Sequence, residues 1–232
     1  MQEEISKHTK KVYKEWKNPH HTKWEKAKEI IIEICIIVFA VTLSIWLHTW
    51  SEHIAEQTEA KEFLVDLKSD LESDIEELTT QQKELAASIN DFTFLYNLDA
   101  WTIDSTEKSG NKIYLHLLPT LRKTNDGNYE GFKSSGKIGY IENKELKKLI
   151  LKYYQDNMPK LVEVEQYYNT QLMKLGDLSN ELTDKKVFYL SPVTKGVLDM
   201  VIQYGKNDIS SYDESIKMAK EIATEIDKAI NE

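Results

Sequence analysis

The sequence predicts an all-α protein in which a single N-terminal transmembrane helix continues into a long stalk helix and an antiparallel helical bundle follows. An apolar run, Ile30 to Leu47, is interrupted by one charged residue and is long enough to cross a bilayer. The residues after it carry apolar side chains at a seven-residue repeat. The 232 residues include only 8 glycines and 4 prolines, which favours long helices over a sheet with many turns.

These patterns divide the chain into consecutive segments. We predict a basic cytoplasmic tail at 1–28, a transmembrane helix at 29–50, a long amphipathic stalk helix at 51–98, a connector with turns at 99–142, and a helical bundle region at 143–232.

The apolar run reads IIIEICIIVFAVTLSIWL and contains one charged residue, Glu33. As a helix it spans roughly 27 Å, close to the thickness of the bilayer hydrocarbon core. Trp46 and Trp50 lie at one end and Trp24 lies just outside the other, where interfacial aromatic residues are expected. A cleaved signal peptide fits poorly, because a long charged stretch precedes the run and no small-residue cleavage site follows it. A buried core helix is also disfavoured, because continuous apolarity on all faces is unusual for a core helix in a chain this polar.

Lysine distribution predicts the direction of this helix. Residues 51–65, just after the run, contain a single lysine, Lys61. The lysines that precede it are Lys7, Lys10, Lys11, Lys14, Lys17, Lys23, Lys26 and Lys28. Because positive residues are enriched in cytoplasmic segments, the N-terminus is predicted to be cytoplasmic and the remainder periplasmic, in a bacterial inner membrane.

One stripe of the membrane helix collects its charge and its small residues: Glu33, Ile37, Ala40, Ser44 and His48. Small residues let membrane helices approach closely, so this stripe is predicted to be an interaction face. Glu33 has two interpretations. It is either an interfacial anchor near the cytoplasmic end, within reach of Lys26 or Lys28, or an ion-coupling carboxylate.

The stalk segment carries a seam of apolar residues at the seven-residue repeat: Leu64, Leu71, Leu78, Leu85 and Phe92. Such a seam is typical of a coiled coil or of a long bundle helix. The sequence leaves open whether the seam pairs within one chain or between chains.

Two helix starts are predicted in the C-terminal half. Asn143 precedes an amphipathic pattern that extends to about Leu175. Ser211 and Glu214 match a capping box before the helically spaced residues Ile216 to Ile230.

Residues 131–137, GFKSSGK, match the spacing of a phosphate-binding loop. Ile138 stands where a metal-binding Ser or Thr is needed, and no buried strand precedes the loop. We interpret Ser134, Ser135 and Gly136 instead as a helix end, with Gly136 in the left-handed conformation.

Other kinds of site are also predicted to be absent. The net charge of −9 argues against nucleic-acid binding, and the single cysteine, Cys35, excludes an intramolecular disulfide and a thiolate zinc cluster. The histidine groups, His8 with His20 and His21, and His48 with His53, lack metal-ligand spacing. We therefore predict no enzymatic activity, catalytic residue, cofactor, metal, nucleotide or nucleic-acid partner.

Three stretches resemble a family of uncharacterised single-pass bacterial inner-membrane proteins. They are EIIIEICIIVFAVTLSIWLHTWSEH (29–53), the acidic EFLVDLKSDLESDIEEL after it, and YEGFKSSGKIGYIENKELKKLILKYY (129–154). Members are similar in their basic N-terminus, a glutamate at the start of the membrane helix, and a helical periplasmic domain. The basic tail of this chain is longer and richer in His and Trp than the family pattern. The resemblance implies a location but no activity.

These observations favour a scaffold or accessory subunit of a membrane complex, which would contact the lipid bilayer and either other membrane subunits or a second copy of itself. A periplasmic sensor that binds a ligand in its bundle is one alternative. An ion-coupled, energy-transducing subunit using Glu33 is another.

Overall fold

The computed structural model describes residues 6–7, 10–11, 13–14, 23–120 and 125–231. Within these residues the ordered elements are all helical and no strand occurs. The α-helices are α1 (Lys23–Tyr96), α2 (Ala100–Lys108), α3 (Gly127–Ser134), α4 (Lys144–Lys152), α5 (Met158–Glu181), α6 (Lys185–Leu190) and α7 (Pro192–Asn231); a 3₁₀-helix spans Lys137–Tyr140 and a π-helical turn spans Tyr153–Asn157. The predicted all-α fold with a helical bundle is therefore confirmed.

The chain divides into two compact units, residues 1–58 and 59–232. The first unit contains the N-terminal part of α1, including the apolar run. The second contains the remainder of α1 and all later elements.

The second unit is built on three long helical segments. Helix α7 runs antiparallel to α1, because Lys68 pairs with Asp227 at 2.7 Å and Lys195 Nζ donates to the Leu98 carbonyl at 3.0 Å. Helix α7 is also antiparallel to α5, since Tyr212 contacts Glu165 whereas Tyr204 stacks on Tyr167. Segments α1 and α5 therefore run parallel, and α7 packs antiparallel to both.

The helix predicted to start at Asn143 is confirmed. The Asn143 side chain accepts hydrogen bonds from the backbone N–H groups of Glu145 and Leu146, at 3.1 and 3.0 Å. Helical structure then continues beyond the expected end, through the π-helical turn, to Glu181. Pro159, the second residue after this turn, has no N–H for a regular helical hydrogen bond, which explains the local irregularity.

The capping box at Ser211 and Glu214 is wrong as a helix start. Helix α7 begins at Pro192, a favoured residue for a first helical position, and Ser211 lies in its interior. The Ser211 carbonyl accepts a hydrogen bond from the Ser215 hydroxyl, as Ser does within a helix. The Ser-x-x-Glu spacing therefore arose by chance within a continuous helix.

The connector contains more helix than its turn signals suggested. Asp99 caps α2 by accepting from Thr102 N–H at 2.7 Å. Helix α3 ends at Ser134, and Gly136 has φ of 76°, which confirms the predicted helix end within GFKSSGK. A helix precedes these residues and a 3₁₀-helix follows them, unlike the strand and helix that flank a phosphate-binding loop.

Residues 111–120, here called the connecting segment, have no regular secondary structure and contact α5. Thr120 and Asn169 exchange two hydrogen bonds of 2.9 Å between the Thr120 backbone and the Asn169 side-chain amide. This pairing satisfies backbone groups that have no partner in a helix or sheet.

Candidate functional site

The apolar run of α1 is exposed within the first unit. Ile31, Phe39 and Trp46 are each at least 60% exposed. Among the described residues, this is the one helix long and apolar enough to cross a membrane. Helices of soluble cores and signal sequences can also have such length and composition, but a core helix would be buried, and only 6% of the most apolar window is buried here. The run is thus a candidate membrane-spanning helix.

The predicted interaction face of the apolar helix is buried at its Glu33 end and exposed at its His48 end. Glu33 is only 6% exposed, and its Oε2 lies 3.6 Å from Nζ of Lys11. Lys11 therefore pairs with Glu33, whereas the sequence had suggested Lys26 or Lys28; the side chain of Lys26 lies outside the described residues. Along the rest of the face, Ile37 and Ser44 are half-buried, while Ala40 and His48 are exposed.

At the other end of the face, His48 Nε2 lies 3.3 Å from a carboxylate oxygen of Glu52, one helical turn later. His48 therefore already has a partner for one ring nitrogen. His8, His20 and His21, which form the other histidine group considered for metal binding, lie outside the described residues.

The stalk seam lies in the core of the second unit. The exposed fractions of Leu64, Leu71, Leu78, Leu85 and Phe92 do not exceed 5%. These side chains pack with apolar residues of α5 and α7, including Leu172 and Val201. The seam therefore pairs within the chain, and in this fold it is not available to a partner.

A buried polar cluster crosses the middle of this core. The Tyr212 hydroxyl on α7 donates to Glu165 Oε1 on α5 at 2.8 Å and lies 3.4 Å from Gln81 Oε1 on α1. Asp208, one turn before Tyr212, has no exposed surface, and neither of its carboxylate oxygens has a hydrogen-bond partner within the described part of the chain. Burial, reinforced by the nearby charge of Glu165, raises the pKa of Asp208 to about 8.

Close packing surrounds this cluster. The Tyr168 hydroxyl donates to the Leu118 carbonyl at 3.5 Å, and both burial and the charge of Asp208 raise the pKa of Tyr168. A methyl group added at Gly205 would lie 2.8 Å from Ile89 Cδ1, so glycine permits α7 to approach its neighbours here.

A small pocket of about 100 Å³ lies next to the polar cluster, and Gln81 belongs to both. Its lining also includes Ser88 of α1 and Thr120 of the connecting segment. The pocket therefore reaches the polar cluster through Gln81, whose side chain also contacts Tyr212.

Sequence reasoning missed this cluster, although a signal for it exists. Buried positions on α7 recur at alternating steps of three and four from Val201 to Ile226, and Asp208 falls on that series. Glu165 likewise lies between Leu161 and Tyr168 on the buried series of α5. An acidic residue at a core position of each of two neighbouring helices predicts a buried carboxyl pair.

A second polar cluster lies where the π-helical turn faces α1. The Tyr153 hydroxyl donates to Asp74 Oδ2 at 3.1 Å, and Tyr154 stacks on Tyr129 with ring centroids 4.3 Å apart. Burial and the charge of Asp74 raise the pKa of Tyr154. Gln155 donates to the Tyr129 hydroxyl at 2.8 Å, so this cluster holds α3 against the bundle.

The fold and these sites define a helical protein with one candidate membrane-spanning helix, within the described residues, and a bundle that closes its own core. No family model, no curated protein and no solved structure matches this chain. The resemblance to uncharacterised single-pass inner-membrane proteins therefore stays a prediction.

Proposed function

We propose that this protein is a single-pass membrane protein that acts as a non-enzymatic scaffold or accessory subunit of a membrane complex. The observation that carries this proposal is the contrast between an exposed apolar helix and a bundle whose apolar core is buried by its own helices. An exposed apolar surface of this length is unfavourable in water and favourable in a bilayer.

The proposed location is the bacterial inner membrane, with the basic tail in the cytoplasm and the bundle in the periplasm. The excess of lysine before the apolar run supports this direction. The test uses a Cys35→Ser background and a membrane-impermeant maleimide on intact cells with a permeabilised outer membrane. Ser109→Cys should be labelled, whereas Lys14→Cys should be labelled only after the inner membrane is disrupted. The reverse pattern would contradict the proposed direction.

We propose that the accessible part of the stripe, formed by Ile37, Ala40, Ser44 and His48, contacts the partner within the membrane, while Glu33 is covered by its own chain. Because Ala40 and Ser44 are small, a second helix could approach the backbone closely at these positions. The stalk seam, which is buried in the bundle, has no part in this contact.

Substitutions that enlarge the stripe test this contact. Ala40→Leu and Ser44→Leu should each reduce the amount of co-purified partner at least tenfold, since the larger side chain separates the helices. Thr42→Leu is the matched control, because Thr42 lies on the opposite side of the helix and its hydroxyl donates to the carbonyl groups of Val38 and Phe39 in its own helix. Equal loss of partner for Thr42→Leu would show that the stripe is not the contact.

Glu33 also supports a competing function, ion coupling. A nearly buried carboxylate in a membrane segment is a functional candidate, but pairing with Lys11 offsets its charge and favours an anchoring role. Glu33→Gln separates the two interpretations. An anchoring role predicts unchanged ion flux through the purified complex, whereas an ion-carrying role predicts loss of flux with the complex still assembled.

A periplasmic sensor is the second candidate function. A cavity of about 340 Å³ in the second unit is lined by Glu107, Lys112, Lys185 and Tyr189, and its size suits a small ligand. A rise in the unfolding temperature of the full chain in detergent with a specific small molecule, abolished by Lys185→Ala, would favour the sensor. Lys206→Ala, on the exposed surface of α7, is the control.

A further inference from the structure

One acidic residue of the bundle core, Asp208, has no hydrogen-bond partner among the described residues for either carboxylate oxygen. Asp208 is fully buried, and Glu165 nearby is only 5% exposed. The charged group that acts on Asp208 within the described part of the chain is Glu165, which has the same sign. Two ionised carboxylates in one apolar core repel each other and lose their hydration, so the folded bundle disfavours double ionisation.

Polar and titratable groups of each neighbouring element interact with Asp208 or with the groups next to it. Helix α5 contributes Glu165 and Tyr168. Helix α7 itself contributes Tyr212, whose hydroxyl is bonded to Glu165. Helix α1 contributes Gln81, which does not titrate, through its contact with Tyr212. The connecting segment, residues 111–120, contributes the Leu118 carbonyl, which accepts from Tyr168.

The two acids are held differently. Glu165 accepts a hydrogen bond of 2.8 Å from Tyr212, which stabilises its ionised form. Neither Asp208 oxygen accepts such a bond from the described residues, so an ionised Asp208 carboxylate would lose its hydration without compensation. Asp208 is therefore the member of the pair that carries the proton.

We propose that Asp208 is protonated in the folded bundle and that loss of this proton as the pH rises loosens the packing of α7 against α5. The bundle thus contains a pH-sensitive contact between two of its three long helices. This inference concerns the second unit alone and does not depend on the proposed accessory function.

The sign of the effect follows from linkage. The pKa of Asp208 is raised from its ordinary value of 3.8 to about 8 in the folded bundle, so the folded form binds more protons between these pH values. Stability is therefore highest at low pH within this window and falls as the pH rises through it. Local opening of α7 around Asp208 should increase by up to about tenfold for each pH unit from pH 5 to pH 8.

Hydrogen exchange measured by mass spectrometry on the full chain in mild detergent tests this proposal. Exchange of peptides covering residues 201–216 is followed from pH 5 to pH 9 for wild type and Asp208→Asn. The asparagine side chain has nearly the shape of the protonated acid and cannot ionise. Dividing the wild-type rates by those of Asp208→Asn removes the intrinsic pH dependence of exchange.

The proposal predicts that this ratio rises with pH and levels off near pH 8. Asp199→Asn is the matched control, because Asp199 is exposed on the same helix, and it should behave like wild type. A ratio that stays constant over the whole pH range would overturn the proposal. Addition of Na⁺, Mg²⁺ or Ca²⁺ to the wild-type protein at pH 8 is a further test. If a cation restored the protection seen at low pH, the proposal would also be overturned, since the site would then bind a metal cation rather than a proton.

A second variant keeps the proposal testable if Asp208→Asn does not fold. Glu165→Gln removes the neighbouring charge, which adds to burial in raising the pKa of Asp208. The pH at which the increase in exchange levels off should therefore be lower in this variant than in wild type. An unchanged levelling pH would contradict a proton held on Asp208 beside Glu165.

Discussion

Two regions of one helix, α1, differ in burial: one is largely exposed and the other lies in the core of the bundle. Residues 30–47 are apolar on all faces except at Glu33, and most of their side chains are exposed. From Leu64 to Phe92 the apolar residues follow a seven-residue repeat and are buried against other helices of the same chain. The spacing of apolar residues, more than their number, thus determines whether a helix segment packs within its own protein or requires another apolar environment.

The two units also differ in how a buried acidic residue is paired. Glu33 in the first unit has a lysine 3.6 Å away, whereas Asp208 in the bundle core has no hydrogen-bond partner among the described residues for either oxygen. A paired carboxylate can keep its charge when buried, but an unpaired one becomes neutral by binding a proton. The first arrangement suits an anchor, and the second suits a pH-sensitive contact.

The largest expected effect comes from shortening a seam residue. Leu78 is fully buried, so Leu78→Ala should lower the free energy of unfolding of the bundle by about 2–5 kcal/mol. Chemical denaturation of the full chain in detergent, followed by circular dichroism, measures this loss. Val65→Ala is the matched control, because Val65 is 53% exposed on the same helix and should change stability little. Equal losses for both variants would show that the seam is not the core.

A smaller effect is expected at the closest approach of α7. A methyl group at Gly205 would contact Ile89 and Tyr168, so Gly205→Ala should destabilise the bundle by about 1–3 kcal/mol in the same denaturation measurement. Ile89→Val removes the nearest methyl group and should recover part of this loss. At Gly196, where a methyl group meets nothing within 4 Å, alanine should instead stabilise the helix. Equal destabilisation by both alanines would show that close packing at Gly205 is not the cause.

The smallest effect is expected for an exposed ion pair on the bundle. The hydrogen bond to Asp227 raises the pKa of Lys68, but Lys68→Met should leave the denaturation midpoint close to wild type. Solvent screens the charges, and ordering the side chains opposes the gain from pairing. A loss as large as that of Leu78→Ala would mean that this pair fixes the packing of α1 against α7.

Local sequence signals predicted those parts of the fold that depend on local chemistry. Asn143 caps a helix because its side chain reaches the next N–H groups, and Gly136 adopts a conformation that favours glycine. The seam residues were also predicted from spacing, although their partners were not, because a repeat does not specify whether the opposing helix belongs to the same chain.

Features that depend on tertiary context were missed. Ser211 and Glu214 resemble a helix start, but packing along α7 continues the helix through them. Glu165 and Asp208 interact electrostatically only because two helices that are distant in sequence pack in an antiparallel arrangement. One acidic residue at a core position does not by itself predict a buried carboxyl pair. The second acidic residue of the pair lies on another helix, and the sequence does not show that the two helices are neighbours.

The most direct test of the central claim is the mass and composition of the particle extracted from native membranes in mild detergent. Light scattering gives the mass, and mass spectrometry identifies the proteins that co-purify. An accessory subunit predicts stoichiometric amounts of other membrane subunits, lost in Ala40→Leu and retained in Thr42→Leu. A particle containing this chain alone, as a monomer or a small homo-oligomer, would contradict the accessory function and favour a self-contained sensor.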